Sequence, residues 1–393
     1  MSRRPHKKSR NGCLECKRRH MRCDKNHPIC VNCGAAEIRC SFLGRDSPCI
    51  VPAFSRGRLH VASSSDTGST AASTPAPTPW QDHTMSNREP PDPYNVNMTH
   101  LGLFNNLSSK EFRSFEDSGQ PDIMATSIYV KHALTTPYLM HQMLAGSALQ
   151  LSVRSTESRN SYRAYATGLQ NRALSLFNEG NPVLEVTPAN CVQMFLFSSS
   201  VGVLLLCDTL HYQRDSLEVF IDSFTHGLSV YRGVLAVVDQ CWHLLGQTEL
   251  GPSLKMSQVL MQPTDASGSE CAALWDLVKA ADISPSSRKA YRESVLHLQQ
   301  VFDVQRGNKA RVPVVFKWPI LVSPDYVDLL RQRRAEALII LAHYAVLLHR
   351  GRELWLIGDS GRFLIESICG NLGSNWQEWL KFPKAALRED LDA

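Results

Sequence analysis

From about Asn97 onward, apolar residues recur three and four positions apart, the spacing that gathers them on one face of a helix. Ser158–Asn178 places Tyr162, Tyr165, Leu169, Ala173, Leu176 and Phe177 in that register, and Gly180 follows as a stop. Pro324–Arg350 does the same through Tyr326, Leu329, Leu330, Ala337, Ile340, Leu341, Tyr344, Leu347 and Leu348, and ends at Gly351. Start signals match. Thr187-Pro188, Ser284-Pro285 and Ser323-Pro324 each offer a hydroxyl at the cap and proline at the first helical position. Ser108-Ser109-Lys110-Glu111 fits a capping box. Strand-like alternation is confined to Val312–Val315 and Ile320–Val322, both with proline close by. The pattern predicts one all-α domain over 97–393, without internal repeats.

The N-terminal quarter breaks this pattern twice. Residues 1–49 are basic and rich in cysteine, whereas 17 of the 33 positions in 61–93 are Ser, Thr or Pro. The latter stretch has too little apolar surface to offset the entropy of ordering it, so 50–96 is expected to be a disordered linker. Charge divides along the same line. Residues 1–60 carry 14 Lys/Arg against 4 Asp/Glu, and 61–393 carry 28 against 33. A basic block on a mildly acidic chain points to a polyanionic partner. The N-terminus has no apolar leader stretch, and the longest apolar run, Cys191–Cys207, is interrupted by Gln193, three serines and Gly202. It reads as a buried helix rather than a membrane span. The 12 cysteines are therefore expected in a reducing compartment, where clusters bind metal rather than form disulfides.

Six of them follow a strict spacing: Cys13-x2-Cys16-x6-Cys23-x6-Cys30-x2-Cys33-x6-Cys40, the second half repeating the first after 17 residues. Two tetrahedral zinc ions need eight ligand positions, which six thiolates fill if two of them bridge. The repeat makes Cys13 and Cys30 the equivalent, bridging pair. A disulfide knot conflicts with the compartment, and a zinc store leaves the intervening residues unexplained. Lys17, Arg18, Arg19, His20, Met21 and Arg22 separate Cys16 from Cys23, while the matching stretch after Cys33 has Arg39 as its one cation. A short helix begun at Cys16 would put its N-terminal side chains in the major groove of double-stranded DNA, where Arg or Lys donates to guanine. The remaining cations, with Lys7, Lys8 and Arg10, would hold phosphates.

With these residues Cys13–Cys40 resembles the fungal zinc binuclear cluster of transcription factors, a module known to place a helix in the DNA groove. Lys25-Asn26-His27-Pro28-Ile29-Cys30 matches the family's proline-containing loop. The resemblance implies two zinc ions, a nuclear location, and regulation of genes read by RNA polymerase II. Arg19-His20 stand where the family commonly has Lys-Lys, so the CGG triplet usually read through that pair is not carried over. Leu139–Leu151, and Trp355-Leu356-Ile357-Gly358 followed by Asn375–Leu380, resemble the family's helical regulatory domain. The subgroup they most resemble includes the sterol-uptake-control regulators, which implies a domain able to hold a lipid or sterol and to answer to the transcription machinery. Regulation of sterol or lipid genes and of a secondary-metabolite cluster are equally compatible with these residues.

Two other functions compete with this one. A DNA-tethered enzyme would need a carboxylate pair, an activated nucleophile or a phosphate loop. Gly358-Asp359-Ser360-Gly361 is the nearest candidate and reads as a helix entry. A scaffold whose zinc module binds protein, without ligand sensing, leaves the basic run between Cys16 and Cys23 without a purpose. Residues 41–93 show no heptads, so no coiled coil is expected there; any dimer would form through the helical domain, or the protein would bind single half-sites.

Overall fold

The computed structural model describes residues 13–19, 23, 96–115, 126–181, 185–260, 268–307 and 315–388. It divides into two compact units, Met1–Thr70 and Ala71–Ala393. Regular structure among the described residues is entirely helical. The linker expected over 50–96, all but its last residue, lies outside them, as do Val312–Val314.

In the first unit the described element is α1, Leu14–Arg18. The second unit opens with α2 (Met98–Asn106), capped by Asn97, whose side-chain oxygen accepts the His100 N–H at 3.0 Å. A 3-10 turn, Phe112–Phe115, follows where a capping box had been expected. Ser109 does accept an N–H, from Phe112 at 3.1 Å, but caps this single turn rather than a long helix. Then come α3 (Thr126–Ala133), α4 (Pro137–Arg154), α5 (Arg159–Gly180), α6 (Cys191–Tyr212) and α7 (Leu217–Leu245). After α8 (Gly251–Leu260) and α9 (Ala272–Ala280), the chain runs through α10 (Pro285–Gly307), α11 (Lys317–Leu321), α12 (Pro324–Arg331), α13 (Ala335–Arg350) and α14 (Ser360–Asn371). Two 3-10 turns, Ser374–Trp376 and Glu378–Leu380, lead into α15, Lys381–Arg388.

Three helices form the centre. Helix α13 buries every residue from Glu336 to His349, α6 buries most of its length, and α4 is covered from Gln142 to Gln150. Helix α4 packs on α5 and α6, α6 on α7, and α13 on α14, α10 and α15. At 22 residues, α6 is long and apolar enough to cross a membrane. The apolar run noted in the sequence, Cys191–Cys207, is part of this longer helix. The helix continues to Tyr212 and is buried within this core. Arg163 of α5 forks onto Asp208 of α6 at 2.8 and 2.9 Å and lies 4.1 Å from the centre of the Tyr212 ring, whose hydroxyl donates to Ser152 of α4 at 2.7 Å. That network fixes α4, α5 and α6 together.

Local signals set several boundaries. Ser284 accepts the Ser287 N–H at 3.1 Å and Ser323 the Tyr326 N–H at 3.3 Å, so both Ser-Pro pairs cap as expected. Thr187 does not. Residues 188–190 make a turn first, Asn190 becomes the cap residue, and its side-chain oxygen binds back to the Thr187 N–H at 2.8 Å. The single helix expected over Pro324–Arg350 is two. Arg333 adopts a left-handed conformation (φ 57°), and the Arg334 and Arg333 N–H groups close onto Leu329 O at 3.2 Å and Leu330 O at 2.8 Å. This is a Schellman ending with arginine in the place glycine usually takes. The polar run Arg331–Arg334 leaves nothing apolar to bury there, so the chain can turn. Gly361 at the start of α14 has no room for a side chain: a Cβ would lie 2.3 Å from His349 N and 2.5 Å from Ala345 O of α13. This contact lets the two backbones touch. Ile320 lies in α11, not in a strand.

Candidate functional site

Cys13, Cys16 and Cys23 are buried, and their sulfur atoms all lie within 4.8 Å of one another. The local sequence explains the arrangement. Cys13 caps α1, its sulfur accepting the Cys16 N–H at 3.4 Å, and the Cys13 N–H points at the Cys23 sulfur at 3.4 Å. One helical turn thus brings the x2 pair together, and the chain returns to add the third thiol. Three ligands at the ~2.3 Å bond length of zinc thiolates, at tetrahedral angles, have sulfurs about 3.8 Å apart. The observed group fits within that limit. Backbone N–H dipoles directed at the sulfurs also suit thiolate charge. Cys30, Cys33 and Cys40 lie outside the described residues.

The cations are placed opposite. Lys17 and Arg18 end α1 and Arg19 is its C-cap, and all three side chains are exposed while Cys16, between them and Cys13, is buried. The helix begins at Leu14, two residues before the expected start, because the Cys13 thiol itself serves as the N-cap. It ends at Arg18, so Arg19 sits at its exit rather than inside it. Lys7, Lys8, Arg10, His20 and Arg22 fall outside the described residues.

Residues 11–48 match the fungal Zn(2)-Cys(6) binuclear cluster domain. These residues therefore form a zinc-cluster module of the kind found in fungal transcription regulators. Such a module binds two zinc ions and DNA. The similarity to fungal zinc-cluster regulators extends past the module. It is 24% identical over 432 residues to a Zn(2)-C6 fungal-type transcription factor of Gibberella zeae, covering 97% of this chain and 86% of that protein. It is 22% identical over 357 residues to the Zn(2)-C6 fungal-type transcription factor afumD of Aspergillus fumigatus, covering 87% and 85%. Sterol uptake control protein 2 of Candida albicans is 47% identical, over a span of 38 residues that is 10% of this chain and 5% of that protein.

The helical domain holds an apolar cavity of about 70 Å³. Its walls come from Tyr129 of α3, Met143 and Gly146 of α4, Val203 and Leu204 of α6, and Trp355 of the α13–α14 turn. The Trp355 ring stacks on Phe112, 5.5 Å between centroids, and its N–H donates to Phe112 O at 2.9 Å, pinning the 3-10 turn as one side. Gln142 also lines the cavity. It is fully buried, and neither atom of its amide has a hydrogen-bond partner among the described residues. Sequence reasoning missed Gln142, whose signal was a polar residue on the otherwise apolar α4 stripe.

Elsewhere, Gly358–Gly361 is the helix entry expected. Asp359 precedes α14 and pairs with Arg214, Ser360 is fully buried, and the His211 ring bonds to Trp355 O at 2.8 Å. Burial and the Arg214 charge hold His211 down to about 4. Cys191, Cys207 and Cys271 are buried core thiols, pushed above the usual thiol range by burial, and Cys369 is half-buried.

Proposed function

We propose that this protein is a nuclear, sequence-specific regulator of RNA polymerase II genes in which residues 1–49 read DNA and a helical domain over 97–393 responds to a lipid-like or sterol-like molecule, with 50–96 as the linker. The observation that carries the DNA-reading half is the division of α1 into a buried thiol side and an exposed side with Lys17, Arg18 and Arg19. All six cysteines, Cys13, Cys16, Cys23, Cys30, Cys33 and Cys40, act as ligands, with Cys13 and Cys30 bridging. Arg19, His20 and Arg22 follow directly on α1 and take base contacts. Lys7, Lys8 and Arg10 take phosphates.

Selection of bound sites from random DNA with the full chain tests this reading. Arg19→Ala and His20→Ala are expected to change the preferred sequence, at about 1–3 kcal/mol of discrimination for a bidentate base contact. Lys7→Ala and Lys8→Ala are expected to weaken all sequences alike and to lower the salt slope. Equal losses on cognate and scrambled sites for all four variants would refute the division.

The ligand-responsive half rests on the cavity. On the scale where one water needs roughly 10–15 Å³, its size admits a short apolar segment with one polar group for Gln142. The two segments that resemble the family's regulatory domain converge there: Gln142, Met143 and Gly146 from one, Trp355 and Leu356 from the other. A buried amide without partners costs about 1–3 kcal/mol, and a hydroxyl-bearing ligand would recover part of it. Gln142→Leu is expected to raise the melting temperature of the ligand-free protein and to remove the thermal shift given by sterols or fatty acids. Absence of both co-purifying lipid and any shift across such a panel would leave a protein-interaction domain without ligand sensing.

A further inference from the structure

A groove of about 870 Å³ runs between α9 and the first half of α10. Its character differs from the rest of the helical domain. Residues 61–393 are acidic in balance, yet Arg288, Lys289 and Arg292 line this groove within two turns of α10. Positions 285, 288, 289, 292 and 296 follow one stripe of the helix. The stripe ends on Leu296, which is 48% exposed, and the facing wall supplies Trp275 and Ile283, both half-buried. Glu293 is the one carboxylate of the lining and lies 3.8 Å from Lys289. The groove begins at the N-terminal end of α10, where backbone N–H groups add positive partial charge.

A merely solvated basic face would explain the cations but not the apolar residues set beside them. Charge complementarity and the mixed lining together define an occupant: carboxylates for Lys289 and Arg292, and bulky apolar side chains for Trp275, Ile283 and Leu296. A DNA backbone satisfies only the first half of that description, since phosphates make no use of an apolar wall.

We propose that this groove docks an acidic amphipathic peptide segment of a partner protein. The segment lays carboxylates on Lys289 and Arg292 and bulky apolar side chains against Trp275, Ile283 and Leu296.

The test uses the full zinc-loaded chain with excess unlabelled duplex DNA present, which occupies the basic N-terminal module. Fluorescence anisotropy is measured with three labelled peptides: Asp/Glu interleaved with Leu/Phe, the same peptide with Ser for Leu/Phe, and the same peptide with Asn/Gln for Asp/Glu. The first is expected to bind, and the second and third markedly less. Lys289→Glu combined with Arg292→Glu is expected to weaken the first peptide by roughly tenfold or more, with the loss largest at low salt. Leu296→Ser is expected to weaken it at low and high salt alike. These side chains are exposed, so a thermal melt is expected to show both variants folded. No binding of the first peptide, or equal binding by wild type and the charge-reversed variant, would overturn the proposal. So would a charge-reversed variant that loses duplex DNA while keeping the peptide, which would mark the groove as a DNA surface.

Discussion

Cys13→Ser is expected to abolish DNA binding and to leave the helical domain folded. In the arrangement proposed above, Cys13 supplies a ligand to both zinc ions, so one substitution opens two coordination shells. Structural zinc contributes on the order of 10–16 kcal/mol to modules of this kind, far more than so short a segment gains by burying its few apolar side chains. The substitution is informative because serine keeps the other task of this residue. Cys13 caps α1 by accepting the Cys16 N–H, and serine is among the best caps. Any loss then reports on metal rather than on the helix. Metal analysis is expected to give two zinc ions per chain for the wild type and one or none for Cys13→Ser. Cys23→Ser, which removes a ligand from one metal, is expected to be milder. Chelation is expected to reproduce the effect, and added zinc to reverse it. Two zinc ions retained in Cys13→Ser would remove Cys13 from the bridging role.

What could be read in the sequence depended on how local the physics was. The cysteine cluster is legible because metal geometry is written as spacing over a few residues, and so are the Ser-Pro caps at 284 and 323, where one hydroxyl meets an N–H three residues on. Helix α13 is legible as an element because its apolar positions are dense. Its separation from α12 is not, because the left-handed turn at Arg333 occurs at a residue type that rarely adopts it. The Cys13 cap was missed for a related reason: a thiol is not a usual cap, and here the same atom is drawn to its neighbours by the metal site. A pocket in the helical domain was expected from the resemblance alone, but its place and lining could not be read. Its walls are drawn from α3, α4, α6 and the α13–α14 turn, and no periodicity tells which apolar faces fail to meet. The basic groove was equally hidden, since Trp275 and Arg292 are neighbours only once α9 has folded back on α10.

Trp318→Ala is expected to be the most damaging single substitution in the helical domain, at about 3–5 kcal/mol. Trp318 sits in the five-residue helix α11 and is fully buried. Its ring stacks on Tyr344 of α13, 4.5 Å between centroids, and meets Tyr326 of α12 edge-on at 5.6 Å. Its N–H donates to Ser294 O of α10 at 2.9 Å. One side chain therefore joins four helices, and alanine would leave a void at their meeting point and remove the indole hydrogen bond to Ser294 O. The neighbouring contacts cannot close that void cheaply, because the Tyr326 hydroxyl is itself held by Ala337 O at 3.0 Å. Trp318→Phe keeps most of the packing and loses the hydrogen bond, so it is expected to cost well under half as much. A thermal melt followed by helical circular dichroism measures both. A fall of less than about 2 °C in the melting temperature for Trp318→Ala would correspond to under ~1 kcal/mol and would contradict the packing argument. The same protein is expected to keep two zinc ions, because the cysteines and Trp318 belong to separate compact units. That outcome is the converse of Cys13→Ser, and the two variants together separate what holds the DNA module from what holds the helical domain.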